Sequence, residues 1–333
     1  MLAIAGQSPH NIPMRALVCH EITDNRSGLR LHVDWPEPPA PGPGEVTVSV
    51  RCSALNYPDL LMLSGGYQFK PELPFIPGSE ACGTIITAGP GVDLPLGTRV
   101  IIGARSGTLA ERLTLPIGAV RLVPAGLSDE EASAFTVGAL TAWVGLMIRG
   151  RLAPGERVLV TGAGGGMGLA AVALAVLEGA HVIAAASTPE RLAAARAAGA
   201  HETLLIDRAA PDITARDIDL VFDPVGGTLA LPAIRALARQ GRYLIIGFTG
   251  GRGPAFPLNR ALLKEIEIIG VRAGEFARQD PAGGRRNIAA IDARALALRP
   301  QIGLSVPLEA ADEAFAAMAS SSLTGKAIVT LGS

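Results

Sequence analysis

Residues 157–191 read RVLVTGAGGGMGLAAVALAVLEGAHVIAAASTPER, and this stretch decides the fold. The apolar run 158–160 is too short for a helix and is typical of a buried parallel strand. Five glycines follow within residues 162–168. An Ala/Leu/Val-rich segment then predicts a helix over 169–177, and a second buried strand is predicted over 181–186. Strand, glycine turn, helix and strand in this order form the first half of a dinucleotide-binding unit.

The glycine turn predicts a site for the pyrophosphate of a dinucleotide. Glycines let the backbone turn tightly and let its N–H groups and the helix N-terminus approach a phosphate with no Cβ in the way. The alternative is a turn that only packs a helix on a sheet, for which five glycines are a destabilising choice. The residues expected to line the cofactor here are Ala163, Gly164, Gly165, Gly166, Met167 and Gly168.

If the dinucleotide is NAD or NADP, the residues after the second strand distinguish between the two. Folds that prefer NAD place an acidic residue there to bind the ribose hydroxyls, about 20 residues past the glycines. This chain has Ser187, which is uncharged and can donate to a phosphate. Arg191, in the first turn of the next predicted helix, can supply a cation, although it can also be a solvated helix charge. We therefore expect NADPH rather than NADH.

Composition bounds the remaining possibilities. The 333 residues suffice for two domains, and 49% hydrophobic content with a net charge of −1 argues against disorder and against a nucleic-acid surface. No apolar run approaches the roughly 20 residues of a membrane span. The first residues lack the basic and apolar regions of a signal peptide. Three scattered cysteines suggest no disulfide framework and fit a cytoplasmic protein.

The order of predicted elements suggests how the chain is divided. Residues 14–127 show short β-branched runs between Pro/Gly-rich turns, which predict a partly open β-barrel. A helix is expected after the N-cap Ser128, and a second one over 137–149. Residues 128–269 then alternate strands and helices, as in a doubly wound parallel sheet. We expect residues 1–13 to be a loose extension and residues 270–333 to return to the first domain.

Further motifs make the chain recognisable. They are VRCSALNYPD over 50–59, SGGY over 64–67, PGSEACG over 77–83, LTAW over 140–143, DPVGG over 223–227 and TGK over 324–326. With the glycine turn, this ordered set resembles the medium-chain dehydrogenase/reductase superfamily, specifically its zinc-independent quinone oxidoreductase branch. The resemblance implies an α/β fold with a GroES-like β-barrel domain and a Rossmann nucleotide-binding domain.

The branch of the superfamily is indicated by metal chemistry. By this resemblance, Asn56 stands where the zinc alcohol dehydrogenases have a cysteine, and Ser79 stands where they have a histidine. An amide and a neutral hydroxyl are poor substitutes for thiolate and imidazole as zinc ligands. We therefore expect no metal. Without a Lewis acid, the substrate carbonyl must be polarised by hydrogen bonds or be intrinsically electrophilic, which favours quinones and activated alkenes.

The resemblance also implies roles for individual residues. Asn56, Tyr57 and Tyr67 match the substrate cleft, where they would donate hydrogen bonds, with a tyrosine or water as proton source. Asp59 is expected to cap the following helix, and Glu80 to form a structural hydrogen bond. Lys326 is expected to contact the cofactor, with a surface lysine as the alternative. Additional cofactor contacts are expected from Thr141, Gly247, Phe248 and Thr249.

The expected function is NADPH-dependent reduction of quinones or α,β-unsaturated carbonyls by direct hydride transfer. Two alternatives stay open at this point: an enoyl-CoA reductase, for which Arg285 and Arg286 are the candidate basic patch, and a non-enzymatic, crystallin-like NADPH-binding protein. Members of the family usually pair the edge strands of their nucleotide domains, so a homodimer is expected, with no nucleic-acid or membrane partner.

Overall fold

The computed structural model describes residues 13–332, which form two compact units. Unit 1 comprises residues 13–123, Ser305–Ser320 and 328–332, and unit 2 comprises Pro124–Leu304 and Ser321–Ala327. Apart from Pro13, the extension expected over residues 1–13 lies outside the described residues.

The first part of unit 1 is built almost entirely of strands. They are β1 Met14–Cys19, β2 Leu29–Trp35, β3 Glu45–Ala54, β4 Glu80–Ala88, β5 Arg99–Gly103, β6 Arg112–Pro116 and β7 Val120–Leu122, with one helix, α1 Tyr57–Leu63, between β3 and β4. In β3, the side chains of Val46, Val48 and Val50 are buried at alternate positions, which is the spacing of one sheet face. These valines contribute one face of β3 to the core of unit 1.

Unit 2 alternates helices and strands. Its helices are α2 Asp129–Trp143, α3 Gly166–Leu177, α4 Pro189–Ala197, α5 Ala230–Ala236, α6 Leu258–Lys264, α7 Ala273–Gln279 and α8 Pro281–Asp292. Its strands are β8 Arg157–Thr161, β9 His181–Ala186, β10 Glu202–Leu205, β11 Ile218–Asp223, β12 Leu237–Ile245 and β13 Glu267–Gly270. The chain ends with β14 Ile302–Pro307, α9 Ala311–Ala319 and β15 Lys326–Thr330.

The two main sheets differ in strand direction. The sheet of unit 2 has the order β10-β9-β8-β11-β12-β13 with every pair parallel, which confirms the predicted doubly wound sheet. The other has the order β14-β15-β3-β4-β5-β7, with β6 added to β3, and β3, β4 and β5 run antiparallel. In unit 2 the strand order reverses between β8 and β11, and ligands of such sheets bind outside the carboxyl ends of the strands at that point.

Two predictions about the middle of the chain need correction. The helix beginning after Ser128 runs without interruption into a π-helical turn, Val144–Arg149, so the two expected helices are one. Its start is confirmed: Glu131 N–H donates to Ser128 Oγ at 3.1 Å, and Ser128 N–H donates to Glu131 Oε2 at 2.8 Å. No proline interrupts residues 129–149, which is why the helix continues.

The second correction concerns the return to the first domain, which is predicted at residue 270, whereas unit 2 continues to Leu304. The physical reason is packing on the long helix. Helices α7 and α8 lie against α2, where Trp143 Nε1 donates to Asn287 Oδ1 at 3.2 Å. The guanidinium of Arg294 lies 4.7 Å from the Trp143 ring centroid, a cation–π contact. Helices α7 and α8 therefore belong to unit 2 and not to unit 1.

This joined helix is long and apolar enough to cross a membrane by length and composition alone. Over its most apolar 18-residue window, 56% of the residues are buried inside the protein. Since α3, α7 and α8 cover it, its apolar character is that of a core helix.

A buried carboxylate ties the central strands of unit 2 together. Asp223, the last residue of β11, accepts hydrogen bonds from Thr161 Oγ1 on β8 and from Tyr243 Oη on β12. Its Oδ1 also accepts from Val225 N–H at 2.8 Å and Gly226 N–H at 3.0 Å, which fixes the turn that follows β11. Burial and the charge of Asp223 raise the pKa of Tyr243, so this hydroxyl remains a donor.

Replacing Tyr243 by Phe should lower the free energy of unfolding by about 1–3 kcal/mol, because a buried carboxylate loses a donor. Urea denaturation followed by circular dichroism measures this change. Tyr57→Phe is the matched control, since no hydrogen bond of the Tyr57 hydroxyl occurs among residues 13–332. Equal stability of Tyr243→Phe and wild type would show that this bond adds nothing to folding.

Candidate functional site

The glycine turn lies between β8 and α3, at the carboxyl edge of the parallel sheet. Gly162 has φ of +57°, in the left-handed region, and so starts the turn. Ala163 N–H donates to Ala185 O at 3.0 Å, and Gly165 N–H donates to Gly162 O at 3.0 Å. Met167 and Gly168 lie in the first turn of α3, where their N–H groups have no acceptor within the helix. The turn thus leaves first-turn N–H groups of α3 without an acceptor inside the helix, as the predicted phosphate site requires.

The individual glycines show whether packing alone explains the turn. A Cβ added at Gly168 would lie 2.7 Å from Ala163 Cα, so this glycine is required for the close approach of α3 to β8. A Cβ at Gly164 would lie 2.9 Å from Arg191 Cα, so glycine is required at this position for the close approach of α4. Among the described residues, a Cβ at Gly165 would meet Gly162 O alone, at an ordinary 3.5 Å. The fold does not demand glycine at 165, and the open surface there fits the approach of a pyrophosphate.

The predicted phosphate-binding residues Ser187 and Arg191 lie together beyond the end of β9. Arg191 Nη1 is 3.5 Å from Ser187 Oγ. The Nη2 of Arg191 donates to two backbone carbonyls, Ser321 O and, at 2.8 Å, Leu323 O. Burial, and then the positive charge of Arg208, lower the pKa of Arg191 from its ordinary value, but an arginine so shifted remains charged near neutral pH. The sequence did not indicate that Arg191 would also hold another part of the chain.

The segment that Arg191 holds is Ser321–Ala327, which we call the strap. It runs beside the glycine turn: Gly325 N–H donates to Gly164 O at 2.8 Å, and Gly166 N–H donates to Gly325 O at 3.1 Å. Lys326 is only 7% exposed, and its aliphatic stem covers the Cα of Gly166. The interpretation of Lys326 as a surface lysine is therefore wrong. The structure does place it beside the glycine turn, as the cofactor-contact prediction requires.

The additional residues predicted to contact the cofactor follow β12 or lie within α2. Thr141 is a half-buried residue of α2. Gly247 N–H is 3.4 Å from Asp223 O, and Thr249 N–H donates to Pro224 O at 3.3 Å. Phe248 is exposed. Residues 247–249 are expected to contact the cofactor, but two of their three backbone N–H groups donate to the carbonyls of Asp223 and Pro224. Any contact with a cofactor there must come from the remaining groups.

The predicted substrate-side residues surround α1 in unit 1. Asn56, the N-cap residue of α1, is buried, and its Nδ2 donates to Glu80 Oε1 at 3.0 Å. Its backbone N–H donates to Asp59 Oδ2 at 2.7 Å, so Asp59 caps the helix from its third position, as part of a capping box. The expected structural roles of Asp59 and Glu80 are thereby confirmed. Glu80 fixes which way the Asn56 amide faces.

The two tyrosines are half-buried and stand at different ends of this helix. Tyr57 is its first residue, whereas Tyr67 follows its last residue, Leu63, and donates its N–H to Leu61 O at 3.2 Å. Only Tyr57 is therefore adjacent to Asn56 along the chain.

Histidines that are distant in sequence come together in pairs. His20 Nε2 lies 2.8 Å from His32 Nε2 in unit 1, and the rings of His181 and His201 stack at 4.7 Å in unit 2. Among residues 13–332, however, no three His, Cys, Asp or Glu side chains are grouped so that they could hold a metal ion.

Comparisons with known proteins agree with this geometry. Residues 42–125 match the family described as alcohol dehydrogenase GroES-like domain, and residues 166–286 match the family described as zinc-binding dehydrogenase. The quinone oxidoreductase-like protein 2 of Rattus norvegicus is 33% identical over 336 residues, which cover 98% of this chain and 94% of that protein.

Solved structures of other oxidoreductases have folds similar to that of this chain. The quinone oxidoreductase of Thermus thermophilus, whose structures include a complex with NADPH, matches with a TM-score of 0.81 and 34% identity over 96% of this chain and 100% of that chain. A probable oxidoreductase from Mycobacterium abscessus matches with a TM-score of 0.84 and 30% identity, over 95% of this chain and 98% of that chain.

The two glycines offer a direct test of the turn. Gly165→Ala should fold with wild-type stability but bind NADPH at least about tenfold more weakly, because its methyl group occupies the path of the pyrophosphate. Gly168→Ala should instead lower the free energy of unfolding by about 1–3 kcal/mol through overpacking. Thermal unfolding and calorimetric titration with NADPH distinguish the two effects. Unchanged NADPH binding by a stable Gly165→Ala protein would contradict this role.

Proposed function

This chain belongs to the quinone oxidoreductase branch of the medium-chain dehydrogenase/reductase superfamily, and we propose that it reduces quinones or α,β-unsaturated carbonyls with NADPH. The observation that carries the proposal is the open glycine turn beside an arginine and a serine at the end of β9. The superfamily membership makes the protein an oxidoreductase. The choice of cofactor and substrate is our proposal.

The preference for NADPH rests on charge at the end of β9. Ser187 occupies the place where an acidic residue would accept the ribose hydroxyls of NADH and repel a phosphate. Arg191 supplies a fixed positive charge next to it, and no salt bridge neutralises this charge within residues 13–332. The adjacent Glu190 is exposed. A 2′-phosphate would therefore find donors and positive charge here.

When bound, NADPH would supply a hydride from C4 of its nicotinamide. The contribution of the chain is to hold the cofactor at the glycine turn and to polarise the acceptor. Nδ2 of Asn56 donates to Glu80, which orients this amide, and we propose that the Asn56 amide donates to a substrate oxygen. Such a donor stabilises the negative charge that develops on that oxygen. The proton would come from the hydroxyl of Tyr57 or Tyr67, or from water.

The proposed acceptors follow from the donors available. Asn56 and Ser79 are poor zinc ligands, so polarisation is left to neutral hydrogen bonds. These are weaker than a Lewis acid and suit an acceptor that is already electrophilic. The three cysteines, Cys19, Cys52 and Cys82, are buried and form no disulfide within residues 13–332, which fits the reducing cytoplasm in which we propose that the protein works.

Oxidation of NADPH with 1,4-benzoquinone, 9,10-phenanthrenequinone and crotonyl-CoA, measured in parallel by the loss of NADPH absorbance, tests this function. We expect turnover with the quinones, and Asn56→Ala should lower kcat about 100-fold through loss of an oxyanion donor. The Kd for NADPH should not change, which controls for folding.

Other results of this assay would point elsewhere. Turnover with crotonyl-CoA alone would favour a thioester reductase. Tight NADPH binding without turnover of any acceptor would favour a cofactor-binding role and would overturn the proposed reaction.

We also propose a homodimer that forms through the free edge of the parallel sheet. Strand β13 is the last strand on that side, and α6, just before it, exposes Leu258, Leu262 and Leu263 at 80%, 78% and 76%. Large apolar side chains grouped in this way usually mark an interface. An open strand edge can also pair with a second copy.

The double substitution Leu262→Glu and Leu263→Glu should convert the dimer to a monomer, because it places charges in an apolar interface. Light scattering after size-exclusion chromatography gives the mass. Leu205→Glu is the matched control, since Leu205 is 57% exposed on β10, at the opposite edge of the same sheet. A wild-type monomer, or dissociation by the control alone, would rule out this interface.

A further inference from the structure

Arg208 lies beside the phosphate-binding residues although it is remote from them in sequence. Strands β9 and β10 are parallel neighbours, with Ala186 opposite Leu205, and Ile206 N–H donates to Ala186 O at 2.9 Å. The residues that follow β10 therefore run alongside those that follow β9. Arg208 Nη2 reaches within 3.5 Å of Ser321 O, the carbonyl that also accepts from Arg191.

Two guanidinium groups thus converge on one carbonyl without a neutralising acid. Neither Arg191 nor Arg208 forms a salt bridge in the described part of the chain. The acidic neighbour Asp207 uses its Oδ1 to accept Ala209 N–H at 2.8 Å. Like charges this close repel one another, which destabilises the pair unless an anion binds. A dianion such as a phosphate monoester fits this arrangement better than a single carboxylate.

The two arginines have different freedom to bind that anion. Nη2 of Arg191 carries two hydrogens, and the structure assigns both to strap carbonyls, Ser321 O and Leu323 O. Arg208 is exposed, and within residues 13–332 its one hydrogen bond is the long contact to Ser321 O. Arg191 is therefore fixed as part of the scaffold, whereas Arg208 keeps most of its donors available.

We propose that Arg208 is the direct ligand of the NADPH 2′-phosphate that discriminates NADPH from NADH, and that Arg191 is a positioning residue that anchors the strap against the glycine turn. This inference rests on the proposed use of NADPH and extends it, because Arg208 becomes the main determinant of specificity. Arg191 contributes fixed positive charge, and its two carbonyl contacts keep Gly325 and Lys326 beside Gly164 and Gly166.

Calorimetric titration of the full-length protein with NADPH, NADH and 2′,5′-ADP tests this division. Arg208→Ala should raise the Kd for NADPH and 2′,5′-ADP at least about tenfold, as expected for a lost charge-assisted hydrogen bond, and leave that for NADH within about twofold. Arg208→Lys should restore part of the affinity. Added KCl should weaken NADPH binding to wild type more than to Arg208→Ala.

Arg191→Ala should weaken the binding of both NADPH and NADH and lower Tm, because it frees the strap.

Arg196→Ala is the matched control, since Arg196 is a nearby arginine on α4 whose Nη2 donates to Thr203 Oγ1 at 2.8 Å. It should change none of these values. If wild type prefers NADPH and Arg208→Ala affects neither nucleotide or both equally, the role of Arg208 is refuted and the proposed function stands. If wild type binds NADH as tightly as NADPH, the cofactor proposal itself fails.

Discussion

The close approach of backbones around the glycine turn is the constraint on which the rest of unit 2 depends. Gly168 lets α3 come down onto β8, and Gly164 lets the first turn of α4 reach the same point. The strap then pairs with the turn from another side through Gly325. No residue with a Cβ could occupy positions 164 and 168 without displacing backbone. The surface around Gly165 is left uncovered. The geometry proposed to bind phosphate therefore results from the packing of α3, α4 and the strap on the other sides of the turn.

Much of this could be predicted from sequence where the signal is local. The strand over His181–Ala186 was predicted with its observed bounds, because a buried parallel strand is a continuous apolar run. The N-cap Ser128 was predicted for an equally local reason, since a capping box needs only four consecutive residues. Short elements such as β7 and α6 were not predicted, because three to seven residues carry too little periodicity.

The parts of the site that escaped prediction depend on contacts between distant residues. Arg208 lies near Arg191 and Ser321 only because β9 and β10 pair in a particular register. The Asn56–Glu80 hydrogen bond joins two motifs whose residue types suggested separate roles. The burial of Lys326 likewise depends on the strap and the glycine turn meeting. Asn56 and Lys326 could be singled out from the sequence, but their partners could not, and Arg208 was not singled out at all. Local sequence patterns do not encode which distant residues a fold brings together, such as the register across a sheet.

The strap determines when the nucleotide site can form during synthesis of the chain. Gly325 pairs with Gly164 across roughly half of the 333 residues, and the strap is flanked on both sides by segments of unit 1. During synthesis the glycine turn emerges from the ribosome long before the strap that pairs with it. Contacts of such sequence separation form late and slow folding, because the closure of a long loop must precede them. The nascent protein therefore carries an unfinished nucleotide site until translation has passed the strap.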